Sequence, residues 1–300
     1  MELSVVVPTL NGREELAGCL DALAEHVPDA EVIVVNGPSA DGTTGMVRDR
    51  DDVSVLVEIA DRSVNTARNA GLDRVTGDAV ALVDQTLSVG DGWAEAVRSG
   101  LAAGAVVTGP THERLTAGLT TDSKEMRTIA GRQVTYFNPG NVAFRREVLN
   151  ALDGFDEYLT VGGARDLAHR LSGTGREVIW DASMTASREF ESDGGMLATD
   201  WGSKYRSLTY RLVKNYGLRP TVVRRIASHA GRDGADALTG VLRNETTLSE
   251  WLGTGRSVLG GVGVGIKDGL LASVRDRTSR RNPNGRSERA DRAVTVYDWR

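Results

Sequence analysis

Through the first 110 residues, short apolar runs alternate with stretches of helical spacing, and this alternation limits the fold more than any other feature. The runs at 3–7, 31–35, 53–59 and 79–83 are rich in Val and Ile and end at residues that stop strands, such as Pro8, Asn36-Gly37-Pro38 and Asp84. Between them, Leu16, Cys19, Leu20 and Leu23 recur with helical period, and helices are predicted over 43–50, 63–75 and 93–103, with a further strand at 105–108. Strands that are apolar throughout must be covered on both faces. The prediction is therefore an α/β fold with a mainly parallel sheet between helical layers. Such sheets bind ligands where loops leave the carboxyl ends of strands, which points to residues 9–11, 36–41 and 84–86.

Further on, 110–135 is polar and Thr-rich and reads as an acceptor-side loop. Residues 138–149 read as a loop, an apolar pair and a short helix, 166–171 as a helix and 177–180 as a last strand. Beyond 200 the chain turns helical and basic, with Tyr205, Leu208, Leu212 and Tyr216 at helical spacing. Residues 1–200 hold 17 Lys/Arg against 32 Asp/Glu, and residues 201–300 hold 19 against 9, so −15 and +10 lie behind the overall −5. Only Lys124, Lys204, Lys214 and Lys267 are lysines, and this acidic, lysine-poor composition resembles that of salt-loving archaea. One cysteine, Cys19, excludes an internal disulfide framework, and four scattered histidines form no zinc signature. Neither a signal peptide nor a spanning helix is expected. The most apolar stretch, 257–271, is glycine-rich and interrupted by Lys267 and Asp268. The chain reads as cytoplasmic, soluble or peripheral.

Seven segments in order, VVVPTLNG (5–12), EVIVVNGPSADGT (31–43), ARNAGL (67–72), TGDAVALVD (76–84), PGNVAFRREVL (139–149), GFDE (154–157) and RDLAHRLSGTG (165–175), resemble family-2 glycosyltransferases of the GT-A fold. The resemblance implies an inverting enzyme that takes a sugar from a nucleotide-diphosphate donor. A narrower resemblance, to haloarchaeal enzymes of surface-layer protein N-glycosylation, implies a lipid-linked (polyprenyl or dolichol phosphate) acceptor. By the same resemblance Pro8, Thr9, Asn36 and Asp41 meet the nucleoside, Arg68 the diphosphate, and Asp84 the ribose and a metal-bound diphosphate. Asn36-Gly37-Pro38 also suits a plain tight turn, and Asp41 before Gly42-Thr43 suits a helix cap.

The chain departs from the family pattern at its metal-binding and base positions, and Asn36 stands where the second loop usually has an aspartate. Asp84-Gln85-Thr86 lacks the later aspartate of the metal-binding element, and Ser187-Arg188 stands where a histidine would fall. Mg²⁺ or Mn²⁺ needs hard oxygen ligands, so Asp84 alone makes metal dependence doubtful, and Arg188 is a candidate to stabilise the leaving diphosphate instead. The usual base positions hold Gly163 and Ala164, which leaves Asp166 as the expected base, or alternatively as a helix-start carboxylate. Arg165 is a candidate for an acceptor phosphate or acidic sugar. Trp93 is placed near the acceptor groove, and Phe137 and Trp180 in the core.

The domain reading is a GT-A-like domain over 1–200, a helical basic extension over 201–274 and a disordered Arg-rich tail over 275–300. The extension, 204–271, suits a peripheral membrane contact or a subdomain closing the acceptor side. No nucleic-acid partner is expected, since no recognised module accompanies the charge. The alternative function is a non-catalytic nucleotide-sugar or glycan binder. A dehydrogenase would want GxGxxG after the first strand, where PTLNG stands.

Overall fold

A computed structural model describes residues 1–113, 120–121, 123–188, 200–243 and 247–300. Its main sheet has eight strands: β1 (Leu3–Thr9), β2 (Glu31–Asn36), β3 (Val55–Ile59), β4 (Ala79–Val83), β5 (Val106–Thr108), β6 (Asn141–Arg145), β7 (Val178–Trp180) and β8 (Ala293–Asp298). Their order is β7-β5-β6-β4-β1-β2-β3-β8. β1 runs parallel to β2 and β4, β2 to β3, and β5 to β7, whereas β6 is antiparallel to β4 and β5. The α/β expectation holds.

The apolar strands bury both faces, as a parallel sheet requires. Val5 and Val7 point to the side covered by α1 (Arg13–His26) and α4 (Trp93–Ala103), through Leu16, Leu20, Val97 and Leu101. Val6 points to the other side, toward α3 (Val64–Leu72), α5 (Arg146–Ala151) and α6 (Gly163–Ser172), through Ala67, Ala70, Leu149 and Leu167. A short helix, α2 (Thr43–Arg48), follows β2. Trp93 is fully buried, with its indole N–H donating to Asn141 Oδ1 at 2.8 Å, so it belongs to the core and not to an acceptor groove.

The Thr-rich region is more ordered than its composition suggested. Within it and beside it, Leu87–Val89, Ala186–Arg188, Thr111–Glu113 and Thr120–Thr121 make a second, four-stranded sheet, and Met126–Ile129 pairs with Arg132–Thr135. Residues 114–119 lie outside the described part.

Three helices follow: α7 (Trp201–Tyr216), α8 (Pro220–Leu242) and α9 (Leu248–Arg275). They are not a separable extension. Tyr205, Leu208, Leu212, Val222 and Ile226 enter the same core as α3 and α6, because the apolar stripe of α7 has no other cover. α9 runs unbroken through Lys267 and Asp268 for 28 residues and contains an 18-residue stretch of mean hydropathy 1.3, so one helix among the described residues is long and apolar enough to cross a membrane. Here one of its faces lies on α7. Gly261, Gly265 and Gly269 sit there at successive turns, and a methyl group at Gly265 would stand 2.6 Å from the Arg206 carbonyl oxygen. The other face leaves Leu252, Leu259, Leu271 and Val274 exposed.

The disordered tail is a correction. Residues 293–298 form β8, which covers the outer edge of β3 in antiparallel register, with Leu56 opposite Tyr297. The arginines that suggested a solvated segment are partnered by the acidic head. Arg292 is wholly buried between Asp73 (2.9 Å) and Glu157, Arg286 bonds Asp73 at 2.9 Å, and Arg300 meets Glu31 at 2.7 Å. Composition alone cannot tell a solvated arginine from one whose carboxylate partner lies two hundred residues away.

Candidate active site

The carboxyl ends of β1, β2, β3 and β4 open on a cleft of about 400 Å³, lined by Pro8, Thr9, Gly37, Asp61, Asp84 and Arg188 among others. Asp84 follows β4. Its Oδ1 accepts from Thr86 N (3.0 Å) and Thr86 Oγ1 (2.7 Å), so the threonine that replaces the family's later aspartate folds back onto the first one. Among the described residues Oδ2 accepts no hydrogen bond. Arg188 lies opposite Leu87 in the second sheet, and that pairing brings it over the same turn. Gln85 spans the cleft floor, accepting from Leu10 N at 3.2 Å and packing where a side chain on Gly12 would stand.

Behind this cleft, and sharing Val64 with it, is a larger cavity of about 640 Å³ lined by Arg68, Glu125, Tyr136, Asn138, Arg165 and Trp180 among others. Arg68 is 6% exposed and lies over the Phe155 ring at 5.1 Å. It pairs with no carboxylate among the described residues, and its Nε has no hydrogen-bond acceptor. Burial pushes its pKa down to about 10, against the pull of Asp84. A buried guanidinium without a counter-charge is suited to an anionic ligand. Glu125 is the one carboxylate lining this cavity among the described residues, and it meets Arg165 at 3.2 Å.

Residues 4–152 match the family described as Glycosyl transferase family 2. The N-terminal half of this chain is a family-2 glycosyltransferase domain. Over 100 residues it is 31% identical to Glycosyltransferase AglE of Haloferax volcanii, an overlap that covers 31% of this chain and 33% of AglE. It is 28% identical over 98 residues to Glycosyltransferase GlyA of Streptococcus pneumoniae, covering 31% of this chain and 13% of GlyA. The matched part therefore spans a third or less of these curated relatives. Among solved structures, S. aureus TarS 1-349 in complex with UDP-GlcNAc superposes with TM-score 0.63 at 16% identity, covering 96% of this chain and 90% of that one. Mannosyltransferase PcManGT from Pyrobaculum calidifontis, in complex with GDP-Man and Mn²⁺, gives 0.53 at 16% identity, covering 92% and 88%. The fold is of GT-A type.

Pro8, Thr9 and Asp84 of the glycosyltransferase domain share one cleft with Arg188, and Arg68 of that domain shares the cavity behind it with Arg165; both Arg165 and Arg188 lie beyond the matched residues. Two nucleoside candidates are internal to their loop. Asn36 is buried, donates to Thr44 Oγ1 at 3.0 Å and accepts from Ser39 Oγ at 2.7 Å, so both ends of its amide are used. Asp41 accepts from Thr43 N, Thr43 Oγ1 and Arg13 N, which is the local tying role its position before Gly42 suggested. Asn36 and Asp41 both tie the loop together; Asn36 is buried with its amide engaged, whereas Asp41 is exposed.

Asp166 is not placed as a base. It is completely buried, 2.8 Å from both Arg170 Nε and Lys214 Nζ, and accepts from Asn215 Nδ2 at 2.9 Å. Burial alone would raise its pKa, but the charges of Lys214 and Arg170 outweigh that and hold it well below the usual carboxylate range. A carboxylate so paired and so enclosed cannot reach an acceptor hydroxyl. The space at the family's base position is also taken: a side chain on Gly163 would begin 2.3 Å from Asn65 Oδ1.

The residues missed by sequence reasoning are Asp61, Glu125, Tyr136 and Trp180. The rule of strand ends, applied to Ile59 as it was to its neighbours, names Asp61. Nothing in the pattern singles out Glu125, which enters from a hairpin arm. Phe137 belongs to the core, as expected, while also lining the larger cavity, whereas Trp180 is only half-buried there.

For Mg²⁺ or Mn²⁺ the donor set is lean. No group of three His, Cys, Asp or Glu side chains gathers among the described residues, and one oxygen of Asp84 is already engaged by Thr86. The remaining oxygen fits an ion that draws its other ligands from substrate phosphates and water, as Mg²⁺ commonly does.

Proposed function

We propose that this protein is an inverting glycosyltransferase that moves a sugar from a nucleotide-diphosphate donor to a lipid-linked acceptor, in glycan assembly at the cytosolic face of a membrane. What carries the reading is the charge arrangement around the cleft: Asp84 and Arg188 at its mouth, and Arg68 buried and unpaired in the adjoining cavity. Asp84 would hold the ribose and, where a divalent ion is bound, one of its coordination positions. The ion would add positive charge at the diphosphate. Arg68 and Arg188 would take up the negative charge that grows on the diphosphate as the sugar–phosphate bond breaks, acting as fixed donors in a partly dry site.

The acceptor oxygen then attacks the anomeric carbon from the face opposite the diphosphate, which inverts it. For a hydroxyl acceptor the proton goes to Glu125, which replaces Asp166 as the proposed base. For a lipid phosphate no base is needed, because its oxygen is already ionised. The exposed leucines of α9 support a peripheral membrane contact, which would bring a lipid-borne acceptor to the cavity.

The test is an intact-mass assay of transfer from a panel of nucleotide sugars onto short-chain prenyl phosphate and prenyl diphosphate saccharides. Asp84→Ala is expected to weaken UDP or GDP binding by about tenfold, the worth of one charge-assisted hydrogen bond. Glu125→Gln is expected to leave nucleotide affinity unchanged and to lower transfer to hydroxyl acceptors. Tight nucleotide-sugar binding with neither transfer nor donor hydrolysis would instead favour a non-catalytic binder.

A further inference from the structure

Beyond the cavity that holds Arg68 lies a third chamber, of about 900 Å³, between α6, α7 and the start of α8. The two are continuous in their walls, sharing Glu125, Tyr136, Val161, Gly162 and Arg165. Seven arginine or lysine side chains line the outer chamber against one carboxylate, Glu125. That carboxylate is committed to Arg165 and Arg127, at 3.2 and 3.8 Å, and Lys204 is committed to Asp233 at 2.6 Å. Arg211, Arg224, Arg225 and Arg232 form no ion pair among the described residues, although elsewhere the arginines of this chain repeatedly find Asp or Glu partners.

Arg211 is the most telling of the four. It projects from α7 against Gly162, where a side chain in place of glycine would begin 2.3 Å from Arg211 Nη1. Its Nε is buried and has no acceptor. Burial, with Arg165 adding to it, pushes its pKa down to about 10, the signature of a cation lacking a counter-charge. His169 and His229 line the same chamber, and both are held neutral by burial and by neighbouring arginines rather than drawn toward the charged form. A folded chain bears this cost of like charge only poorly, and a concave wall of one sign concentrates its field on whatever enters.

We propose that this chamber is an anion subsite for the acceptor, taking a phosphate or carboxylate group carried next to the attacking sugar or oxygen. The proposal rests on the transferase reading above and adds to it the chemical class of the acceptor, which must be acidic. Forked guanidinium donors from α7 and α8 suit the paired oxygens of either group. The chamber adjoins Glu125 and Arg165, so an anion seated there leaves the neighbouring part of the acceptor in the cavity with Arg68, where the donor sugar would project.

The experiment uses the full chain at low ionic strength and isothermal titration with three probes: geranyl phosphate, digalacturonate and UDP, with maltose as the neutral control. At least one of the first two is expected to bind while maltose does not, and to bind at least tenfold more weakly to Arg211→Gln/Arg225→Gln. UDP affinity is expected to be unchanged. Because Arg211 is packed against α6, Arg224→Gln/Arg225→Gln serves as a second variant on the exposed side of α8, with the same expectation in direction. Binding of geranyl phosphate alone identifies a lipid phosphate as the source of the anion; binding of digalacturonate alone identifies an acidic glycan. The proposal is overturned if neither anion binds to protein that binds UDP, if both variants bind the anions as well as the parent does, or if UDP affinity falls in step, since the arginines would then serve the donor. Failure to bind any nucleotide would count against the donor reading and leave the anion titrations to be judged separately.

Discussion

Replacing Asp166 by asparagine separates a structural carboxylate from a catalytic one. In the wild type, Asp156, Asp166, Arg170 and Lys214 form a buried and electrically neutral set, with Lys214 Nζ 2.6 Å from Asp156 and 2.8 Å from Asp166. Arg170 also donates to the carbonyl oxygens of Leu152 (2.6 Å) and Gly154 (2.9 Å), which ties α6 to the segment before it. Asp166→Asn leaves one uncompensated positive charge in the interior. Removing one partner of a buried pair costs about 3–5 kcal/mol. At about 2–4 °C per kcal/mol for a chain of this size, the melting temperature should fall by about 6–20 °C. The carboxylate's native pKa is depressed, so its stabilisation is present above the unfolded value and is lost as pH falls toward the native one. The gap between wild type and variant should thus stay constant from about pH 8 to about pH 5 and narrow below about pH 4. Thermal melts across pH, paired with turnover measured well below both transitions, provide the assay. An unchanged melt together with a hundredfold or greater loss of turnover would refute the argument and return Asp166 to the reacting atoms.

Three other perturbations probe different parts of the fold. Gly265→Leu should force α9 off α7, destabilising by about 1–3 kcal/mol or more, with faster hydrogen exchange in α9 and little change in the sheet. Arg292→Met should cost about 1–3 kcal/mol in urea unfolding, because it removes the buried cation between Asp73 and Glu157, which keep only Arg286 and Arg289 as charged partners; a loss under about 1 kcal/mol would mean these carboxylates are solvated. Burial and the nearby charge of Asp84 raise the Cys19 thiol far above its usual range. It should therefore resist an aromatic disulfide reagent at about pH 8 in the folded state and react fully once unfolded.

The glycosyltransferase sheet was legible because its signal is local. Val and Ile runs with punctuating Pro, Asn and Asp specify buried strands, and each predicted strand end lies within two residues of the observed one. The donor cleft followed from topology, since loops at strand ends must meet there. What could not be read depends on partners distant in sequence. Asp166 has the spacing of a catalytic residue, and only Lys214 and Asn215 on α7 make it structural. Glu125 has no periodic context, and a hairpin decides where it points. The tail misled for the same reason: charge composition reports solvation only if no complementary surface exists, and Asp73, Asp153 and Glu157 supply one.

The strand at Ala293–Asp298 has a consequence for synthesis. Residues near the amino end emerge first and can begin to assemble β1 to β4, but the free edge of β3 finds its partner only when residues beyond 292 appear. Until then that edge offers unpaired backbone groups to any other strand. Asp73 and Glu157 also wait for Arg292. A nascent chain halted before that point would hold most of its sheet yet remain adhesive along one side. The late strand thus moves the open edge of the sheet outward, from the largely buried β3 to a strand whose residues alternate between half-buried and exposed.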